Sequence, residues 1–461
     1  MSDIGPAFSV SITFAVPETK DGVFDILQKI QNVDALVTDM NTHVEKDRLI
    51  VKLACDTRSD DHIKEVVRVL EKQDNLQILE VEDVTFQMHV GGKIEVNSSP
   101  VSTRQDLARV YTPGVARVCN AIVDDPEKAL SLTIKSNTVA VVSDGSAVLG
   151  LGNIGPKAAL PVMEGKAMLF KQFADVNAWP IVLDTQDTEE IISAVKAIAP
   201  GFGGINLEDI SAPRCFEIEA RLREELDIPI FHDDQHGTAV VVLAALINAL
   251  KIVKKSIKDV RIVVSGVGAA GNAIIKLLLA QGATDIVGYG RNGALCRKNV
   301  TDETESSRAW IANNTNPRLV VGDLKSGLKD ADVFIGVSSG NILDENDIAS
   351  MADDAIVFAL ANPIPEINPY IAMKHASVVA TGRSDYPNQI NNVLAFPGLF
   401  RGLLDTKCNK ITDELLRVAA VAIASVIEDN ELTPLYIIPD AVNKDVAKKV
   451  TKAVQDLMRE N

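Results

Sequence analysis

The sequence predicts an α/β protein made of three domains and a C-terminal helical segment. Three observations support this fold class: an N-terminal run of elements in the order βαββαβ, a middle region whose strands end in carboxylates, and a later alternation of strands and helices typical of a doubly wound parallel sheet. We place the domains at residues 1–95, 96–236 and 237–395. Residues 396–461 follow as helices that pack on the second and third domains.

The composition narrows the class of protein. Hydrophobic residues make up 46% of the 461-residue chain and charged residues 24%, which is ordinary for a protein with a sizeable core. The net charge of −17 argues against nucleic-acid binding, because clustered Lys and Arg are needed to neutralise phosphates. An anionic ligand must therefore be bound by local cations, helix N-termini or a metal ion.

Several features predict a cytoplasmic protein that does not bind membranes. The five cysteines are scattered without a CxxC spacing, which favours a reducing compartment over a disulfide framework or a zinc site. The N-terminal residues have no basic region and no long apolar stretch, so we expect no signal peptide. The most apolar stretch, residues 238–253, is shorter than a membrane span and contains Asn248, so we expect a buried helix there.

The first domain alternates strands and helices. Strands are predicted at 8–16, 35–40, 48–54 and 76–84, and helices at 21–31 and after Ser59, whose side chain could cap the second helix. The order βαββαβ is that of a ferredoxin-like unit. In this position it resembles an ACT domain, which implies that it binds a small effector or pairs subunits. A packing module without a ligand is the alternative, and residues 91–100 are predicted to be the linker that follows.

A glycine-rich turn predicts a Rossmann-type dinucleotide site. The sequence Gly266-Val-Gly268-Ala269-Ala270-Gly271 follows a predicted strand at 260–265 and opens a predicted helix at 270–280. Gly266 permits the tight turn, Gly268 lets the backbone approach a pyrophosphate, and Gly271 lets helix and strand pack closely. The motif alone is weak, but both flanking elements have the required type.

The second strand of this domain leaves the choice of cofactor open. An NAD-binding protein normally has an acidic residue at the end of that strand, which bonds to the ribose 2′-hydroxyl. This chain has Gly290 and then Arg291 there, and Asp285 precedes the strand at its far end. Arg291 could pair with a 2′-phosphate, so the pattern slightly favours NADP over NAD. The alternative is that Arg291 is an ordinary loop residue.

Three groups of carboxylates indicate a possible metal site. Glu208-Asp209 and Asp233-Asp234 each follow an apolar segment, and Asp144 follows a predicted strand at 139–142. Hard oxygen ligands of this kind suit Mg²⁺ or Mn²⁺. Adjacent carboxylates are also common on surfaces, so chemistry alone leaves the metal undecided. His232 and His236 flank the second pair at a spacing of four; they could be metal ligands, but structural roles or support of the ligands are favoured.

At these residues the sequence resembles the malic enzyme family in its shorter bacterial form. The resemblance covers roughly residues 100–400 and rests on motifs in the same order. They are Val110-Tyr-Thr-Pro-Gly114, Ser143-Asp-Gly145 with Leu149-Gly-Leu-Gly-Asn153, Glu164-Gly-Lys166, Asn206-Leu-Glu-Asp209, Phe231-His-Asp-Asp-Gln-His-Gly-Thr238, Ala361-Asn-Pro363, and Asn391-Asn392 before Phe396-Pro-Gly398.

The resemblance implies an NAD(P)-dependent malate dehydrogenase that decarboxylates (S)-malate to pyruvate and CO₂. It also implies roles for individual residues. Glu208, Asp209 and Asp234 would bind the divalent metal, Lys166 would be the general base, Tyr111 the general acid, and Asp233 would tune Lys166. Asn362 and Asn392 would hold malate carboxylates or the nicotinamide, with Asn391 close by. A lysine can act as a base near neutral pH only if its pKa is lowered from about 10.4.

One position departs from the family pattern and two other functions stay open. Many relatives have an Arg where this chain has Ala147, so another cation must bind the malate carboxylate. A malolactic-type enzyme that retains its NAD and releases lactate would use the same motifs. A ligand-sensing protein with a dead enzyme body is the third hypothesis, although every proposed catalytic position is filled. Shared active-site loops and the ACT-like module predict a homodimer or larger homo-oligomer.

Overall fold

The computed structural model describes residues 4–17 and 22–460. These residues fall into two compact units, the first ending at Glu95 and the second beginning at Val96. The first unit contains one antiparallel sheet, and the second contains two parallel sheets with helices around them.

The first unit has the predicted element order βαββαβ. Its elements are β1 Gly5–Pro17, α1 Gly22–Gln31, β2 Leu36–Glu45, β3 Arg48–Thr57, α2 Asp60–Glu71, β4 Gln77–Asp83 and the short α3 Val84–Gln87. The strands form an antiparallel sheet in the order β2-β3-β1-β4. Alternate residues of β1, including Val10, Ile12 and Phe14, are fully buried in its core. The Ser59 side chain accepts a hydrogen bond from the backbone amide of His62, which confirms the predicted cap. Asp21, where we predicted the start of α1, lies outside the described residues.

A four-stranded parallel sheet comes next in the chain. Its strands are β5 Thr138–Ser143, β6 Asn177–Val182, β7 Gly204–Leu207 and β8 Ile230–His232, in the order β6-β5-β7-β8. Strands were predicted at 139–142, 181–183 and 228–231, so β7 was missed. It is four residues long and begins with glycine, which gives little strand signal, yet all four of its residues are buried. The carboxyl ends of β5, β7 and β8 therefore lie side by side at one edge.

Helices precede and connect these strands along the chain. They are α4 Arg104–Val110, α5 Val115–Asp124, α6 Ala129–Leu132, α7 Pro156–Ala174, α8 Thr188–Ile198 and α9 Arg214–Glu225. Helix α7 begins with a proline in its first turn, where the missing amide hydrogen costs no helical bond. Its buried face includes Lys166, among apolar neighbours such as Met163 and Phe170. A lysine is rarely buried unless its charge is paired, so Lys166 needs partners inside the protein.

The second parallel sheet has six strands and the doubly wound form that the sequence predicted. The strands are β9 Arg261–Ser265, β10 Asp285–Gly290, β11 Gly293–Ala294, β12 Val333–Gly336, β13 Ile356–Ala359 and β14 Val378–Thr381. Their order is β11-β10-β9-β12-β13-β14, and only the short β11 is antiparallel to its neighbour. The chain winds from β9 outward to β10 on one side and then to β12 on the other. The crevice at the carboxyl ends of β9 and β12 is thus the topological switch point, where such sheets bind ligands.

The remaining helices complete this unit. They are α10 Thr238–Val253, α11 Ala269–Ala280, α12 Ser306–Asn314, α13 Leu324–Gly327, α14 Glu345–Ala349, α15 Pro369–Ala372, α16 Phe396–Thr406, α17 Asp413–Ala424 and α18 Lys444–Glu460. Helix α10 continues a π-helical turn at Asp233–Gly237, and the combined segment Asp233–Val253 is long and apolar enough to cross a membrane. Two thirds of its most apolar window, 67%, is buried inside the protein. Asn248 is fully buried and donates to the carbonyls of Ala424 and Ile437, as expected of a core helix.

Candidate active site

Three carboxylates converge at the edge of the four-stranded sheet. Glu208 and Asp209 follow β7, and Asp234 follows β8, the neighbouring strand. One oxygen atom from each residue lies within 4.8 Å of the others. We call Glu208, Asp209 and Asp234 the carboxylate cluster. Glu208 and Asp209 are buried, whereas the Asp234 side chain is 31% exposed, so the cluster is open on one side.

Local contacts hold the cluster in place. The Asp209 backbone has a φ of 54°, in the left-handed region, and its amide donates to Asp234 Oδ2 at 2.8 Å. Asn206 Nδ2 donates to Glu208 Oε2 at 2.8 Å. Asp209 Oδ2 is buried without a hydrogen-bond partner in the described part of the chain. A buried carboxylate oxygen without a partner is costly, so this atom is available to a cation.

The ionisation of the cluster also fits a divalent cation. Burial, together with the neighbouring carboxylates, raises the pKa of Asp209 to about 9. Burial raises the pKa of Asp234 to about 6 and that of Glu208 to about 7, although Lys166 opposes both shifts. Like charges at this distance disfavour joint ionisation. An all-oxygen set of acidic residues suits Mg²⁺ or Mn²⁺, and such an ion would relieve the repulsion.

Lys166 lies beside this cluster and is only 7% exposed. Its Nζ atom is 2.5 Å from Asp233 Oδ2 and 3.0 Å from Glu208 Oε1, and it lies 4.2 Å from the centre of the Phe396 ring. Asn392 Nδ2 also donates to Asp233 Oδ2. Glu208, Asp233 and Phe396, which are far apart in the sequence, therefore all contact the ammonium group of Lys166.

A general base must be unprotonated, whereas the surroundings of Lys166 favour its protonated form. Burial lowers the pKa of Lys166, but the carboxylates of Asp233 and Glu208 outweigh burial and raise that pKa above its ordinary value. Burial raises the pKa of Asp233 to about 7 against the opposing effect of Lys166. With the carboxylates unneutralised, the proton stays on Lys166. Lys166 is buried, as a lysine with a lowered pKa would be, but burial alone does not lower its pKa here because the two carboxylates have the larger effect.

Two other polar residues predicted near the site, Asp144 and His236, have partners outside the carboxylate cluster. Asp144 is fully buried and pairs with Arg214 Nη2 at 2.9 Å, so it lies outside the carboxylate cluster. His236 Nε2 is 3.0 Å from Glu219 Oε2, and His232 is fully buried. Neither histidine belongs to the cluster, but His232 Nδ1 lies 3.7 Å from Asp234 Oδ2, so His232 borders it.

The asparagines differ in what they contact. Asn392 reaches Asp233 as described, whereas Asn391 Oδ1 accepts from the backbone amide of Val393 at 3.0 Å and caps the following turn. Asn362 follows β13, directly before a cis peptide bond to Pro363, and it is half-buried. Gly382 lies close enough that an added Cβ would be 3.0 Å from Asn362 Nδ2.

Tyr111 is not part of the buried group in this single chain. It is the C-cap residue of α4, its side chain is 66% exposed, and a cis peptide bond joins Thr112 to Pro113 after it. A general acid must contact the substrate. The two proposed catalytic residues therefore differ in burial. Lys166 is buried and contacts two carboxylates, whereas Tyr111 lies on an exposed surface.

The glycine-rich turn has the geometry that the sequence predicted. Gly266 has a φ of 96°, and a Cβ there would lie 2.5 Å from the Val337 carbonyl oxygen. A Cβ on Gly271 would lie 1.8 Å from the Gly266 carbonyl oxygen, so this glycine permits close packing. At Gly268 a Cβ would meet nothing within 4 Å, so the backbone is approachable from outside. Helix α11 begins at Ala269, and no side chain caps it. The backbone amides of its first residues, including Ala269 and Ala270, can therefore bind phosphates.

The end of β10 carries a cation and no acid. Arg291 follows Gly290 and is exposed, and it pairs with no carboxylate in the part of the chain that the structure describes. Asp285 is the first residue of β10 rather than the residue before it, and Arg318 Nε donates to its carboxylate at 2.6 Å. Asp285 therefore lies at the end of the strand far from the glycine-rich turn.

Sequence reasoning missed several residues that support the site. Arg214 Nη2 also donates to the hydroxyls of Ser146 and Ser211, so it is a cation beside the loop that contains Ala147. The buried Glu219 carboxylate contacts the segment that bears Asp233 and Asp234. Both residues lie on the amphipathic helix α9, where a charged residue ordinarily indicates only a solvated face.

A doubly wound sheet with this glycine turn, in a chain that also buries a lysine among carboxylates, is typical of an oxidoreductase that depends on a dinucleotide. The comparison with known families makes this specific. Residues 92–223 match the model of the malic enzyme N-terminal domain, and residues 235–458 match that of the malic enzyme NAD binding domain. The chain belongs to the malic enzyme family. Its identification as a decarboxylating malate dehydrogenase that uses a nicotinamide dinucleotide is thereby confirmed.

Individual relatives agree with this assignment. An NAD-dependent malic enzyme of Geobacillus stearothermophilus is 60% identical over 91% of this chain and 86% of its own length. A bifunctional malic/malolactic enzyme of Bacillus subtilis is 53% identical over 79% of this chain and 89% of its own length. The crystal structure of the NAD-dependent malic enzyme of Thermotoga maritima is 51% identical, covers 81% of this chain and 99% of that chain, and superposes with a TM-score of 0.78.

Proposed function

We propose that this protein converts (S)-malate to pyruvate and CO₂ while reducing NAD or NADP, with Mg²⁺ or Mn²⁺ at the carboxylate cluster. The observation that carries the proposal is the contact of one buried lysine with two carboxylates, Asp233 and Glu208, beside an open group of acidic oxygens. A divalent cation held there would polarise the oxygen atoms of malate and neutralise the carboxylates that keep Lys166 protonated.

The residues of this chain supply binding and proton transfer. Lys166 accepts the hydroxyl proton of malate when the C2 hydride leaves, and Asp233 orients the lysine through its short contact. Asn392 fixes Asp233 from the other side. Asn362, with Asn391 nearby, holds a malate carboxylate or the nicotinamide. Tyr111 delivers the proton to C3 after CO₂ has left.

Release of lactate instead of pyruvate is a second candidate, because one relative is named a bifunctional malic/malolactic enzyme. Both outcomes begin with the same oxidation, and they differ in whether the reduced cofactor leaves before it reduces pyruvate. Product analysis after incubation with malate, NAD and Mn²⁺ separates them. We expect pyruvate and free reduced cofactor. Lactate without net cofactor reduction would establish the second candidate.

Arg291 underlies a proposed slight preference for NADP. Because it is exposed at the end of β10, with no acidic residue at the 2′ position, it can pair with a 2′-phosphate. We expect Arg291→Ala to lower kcat/KM for NADP by about 10-fold, the loss of one charge-assisted contact, and to leave that for NAD within about twofold. Steady-state kinetics with both cofactors give the ratio. If the ratio of the two kcat/KM values does not change, Arg291 is a loop residue and NAD is the better assignment.

We also propose a homodimer, because helices α4 and α5 have no buried residue among those described. Their exposed apolar side chains include Leu107, Val110 and Val123, the last 80% exposed, next to Tyr111. A pair of helices with exposed apolar side chains and no buried residue is typical of an interface. Light scattering during gel filtration should give a mass of at least twice the 49.6 kDa of the chain. The mass of a single chain at micromolar concentration would contradict the proposal.

For the first unit we propose a ferredoxin-like, ACT-like role in effector binding or subunit pairing. Its support is the element order βαββαβ and the strand order β2-β3-β1-β4. The Geobacillus relative aligns over 422 residues, more than the second unit contains, so the similarity extends into this module.

A further inference from the structure

Glu219 is a buried carboxylate that the proposed mechanism does not use. It lies on the inner face of α9, and its side chain is 6% exposed. Its two oxygens accept three hydrogen bonds and form one ion pair. Oε1 accepts from the His232 backbone amide at 3.1 Å and pairs with the Arg223 guanidinium at 2.8 Å, and Oε2 accepts from Gln235 Nε2 at 3.1 Å and His236 Nε2 at 3.0 Å.

The three hydrogen-bond donors belong to one short segment. His232 precedes Asp233 and Asp234, and Gln235 and His236 follow them, so the Glu219 carboxylate binds the segment on both sides of the pair of acids. Both acids lie in a π-helical turn from Asp233 to Gly237, a conformation with little intrinsic stability. Arg223, on the same helix as Glu219, also donates to the carbonyl of Ile230 at 3.1 Å and ties α9 to β8.

The turn sets the direction of both acidic side chains. Asp233 extends toward Lys166 and Asn392, and Asp234 extends toward the amide of Asp209 in the carboxylate cluster. A Cβ on Gly237 would lie 2.0 Å from Asp233 Oδ1, so the turn has little room for a different course. In the described structure Glu219 is hydrogen-bonded to the neighbours of the two acids, so its influence on them must pass through the turn itself.

We propose that Glu219 is a positioning residue for metal binding: it holds the Asp233–Gly237 turn in the shape that presents Asp234 to the cation and Asp233 to Lys166. The inference rests on the proposed function, since it takes the carboxylate cluster as the metal site. A residue that merely fills the core would contribute to the stability of the protein but not to the affinity of the cluster for a metal. Metal affinity is therefore the measurement that separates the two roles.

The test is the Glu219→Gln variant, which keeps the shape of the side chain. Glutamine has one acceptor oxygen, and its NH₂ group would face the donors of the turn. We expect the purified full-length variant to bind Mn²⁺ at least about tenfold more weakly in the absence of malate and cofactor, as measured by calorimetry or by the loss of free Mn²⁺ signal in electron spin resonance. The matched control is Glu217→Gln on the same helix, whose side chain is 58% exposed and pairs with Arg221. The control should bind Mn²⁺ as the wild type does.

A folded Glu219→Gln variant with wild-type Mn²⁺ affinity would overturn the proposal. If that variant does not fold, Gln235→Leu decides, because it removes one donor from Glu219 and leaves the buried Glu219–Arg223 pair intact. A severalfold weaker Mn²⁺ affinity of Gln235→Leu supports the proposal, and an unchanged affinity overturns it. Wild-type protein that binds Mn²⁺ but does not oxidise malate would refute the proposed function and leave the result on Glu219 standing.

Discussion

Lys166→Ala should reduce kcat for malate-dependent reduction of the nicotinamide cofactor by about 10²–10⁴-fold, the usual contribution of a general base. The reason lies in the geometry. Lys166 is the buried cation that contacts Asp233 and Glu208, and its Nζ atom is held at 2.5 Å from the first and 3.0 Å from the second. Alanine removes the proton acceptor and leaves these two acids without their partner.

The matched control for this experiment is Lys171→Ala. Lys171 lies on the same helix five residues later, but its side chain is 56% exposed and pairs with Asp175 near the helix end. Surface pairs of this kind contribute little to stability, so the control should keep wild-type kinetics. Circular dichroism shows whether each variant keeps its fold. A folded Lys166→Ala variant with more than a tenth of the wild-type kcat would remove Lys166 from the role of general base.

Asp234→Asn should weaken Mn²⁺ binding by more than about a hundredfold, because even the loss of a residue that only supports a ligand commonly costs about 10–100-fold. Asp234 is the most exposed member of the carboxylate cluster, and it closes the group between β7 and β8. The substitution keeps the size of the side chain and removes one negative charge from a site that depends on charge. Direct Mn²⁺ titration measures the effect without relying on turnover.

Asp429→Asn is the control for the charge change itself. Its side chain is 82% exposed and pairs with Lys251, so the net charge of the protein changes by the same amount while the cluster is untouched. Mn²⁺ affinity should then be that of the wild type. Equal Mn²⁺ affinities in Asp234→Asn and in the wild type would exclude Asp234 as a ligand.

The features that sequence predicts well are those with local causes. The turn from Gly266 to Gly271 follows from neighbouring residues, since the strand, the tight turn and the helix start are contiguous, and the structure has all three. The carboxylate cluster is also predictable in part, because Glu208 and Asp234 each follow a strand and parallel strands end at one edge. That Glu208 and Asp234 lie on adjacent strands depends on β7, which the sequence pattern did not reveal.

The features that sequence missed depend on contacts between distant residues. Glu219 and Arg214 lie on α9, where their charges look like those of any solvated helix, and only packing shows that Glu219 is nearly enclosed. The raised pKa of Lys166 likewise depends on Asp233, 67 residues away. Tyr111 illustrates the reverse case, since its motif is evident in the sequence while the single chain leaves its side chain exposed.

The most direct test of the account is a malate oxidation assay with purified full-length protein, supplied with NAD or NADP and with either Mn²⁺ or a chelator. We predict that malate reduces the cofactor only when Mn²⁺ is present, with one pyruvate formed for each reduced cofactor. Absence of malate-dependent reduction with both cofactors in Mn²⁺-loaded, folded protein would contradict the proposed function.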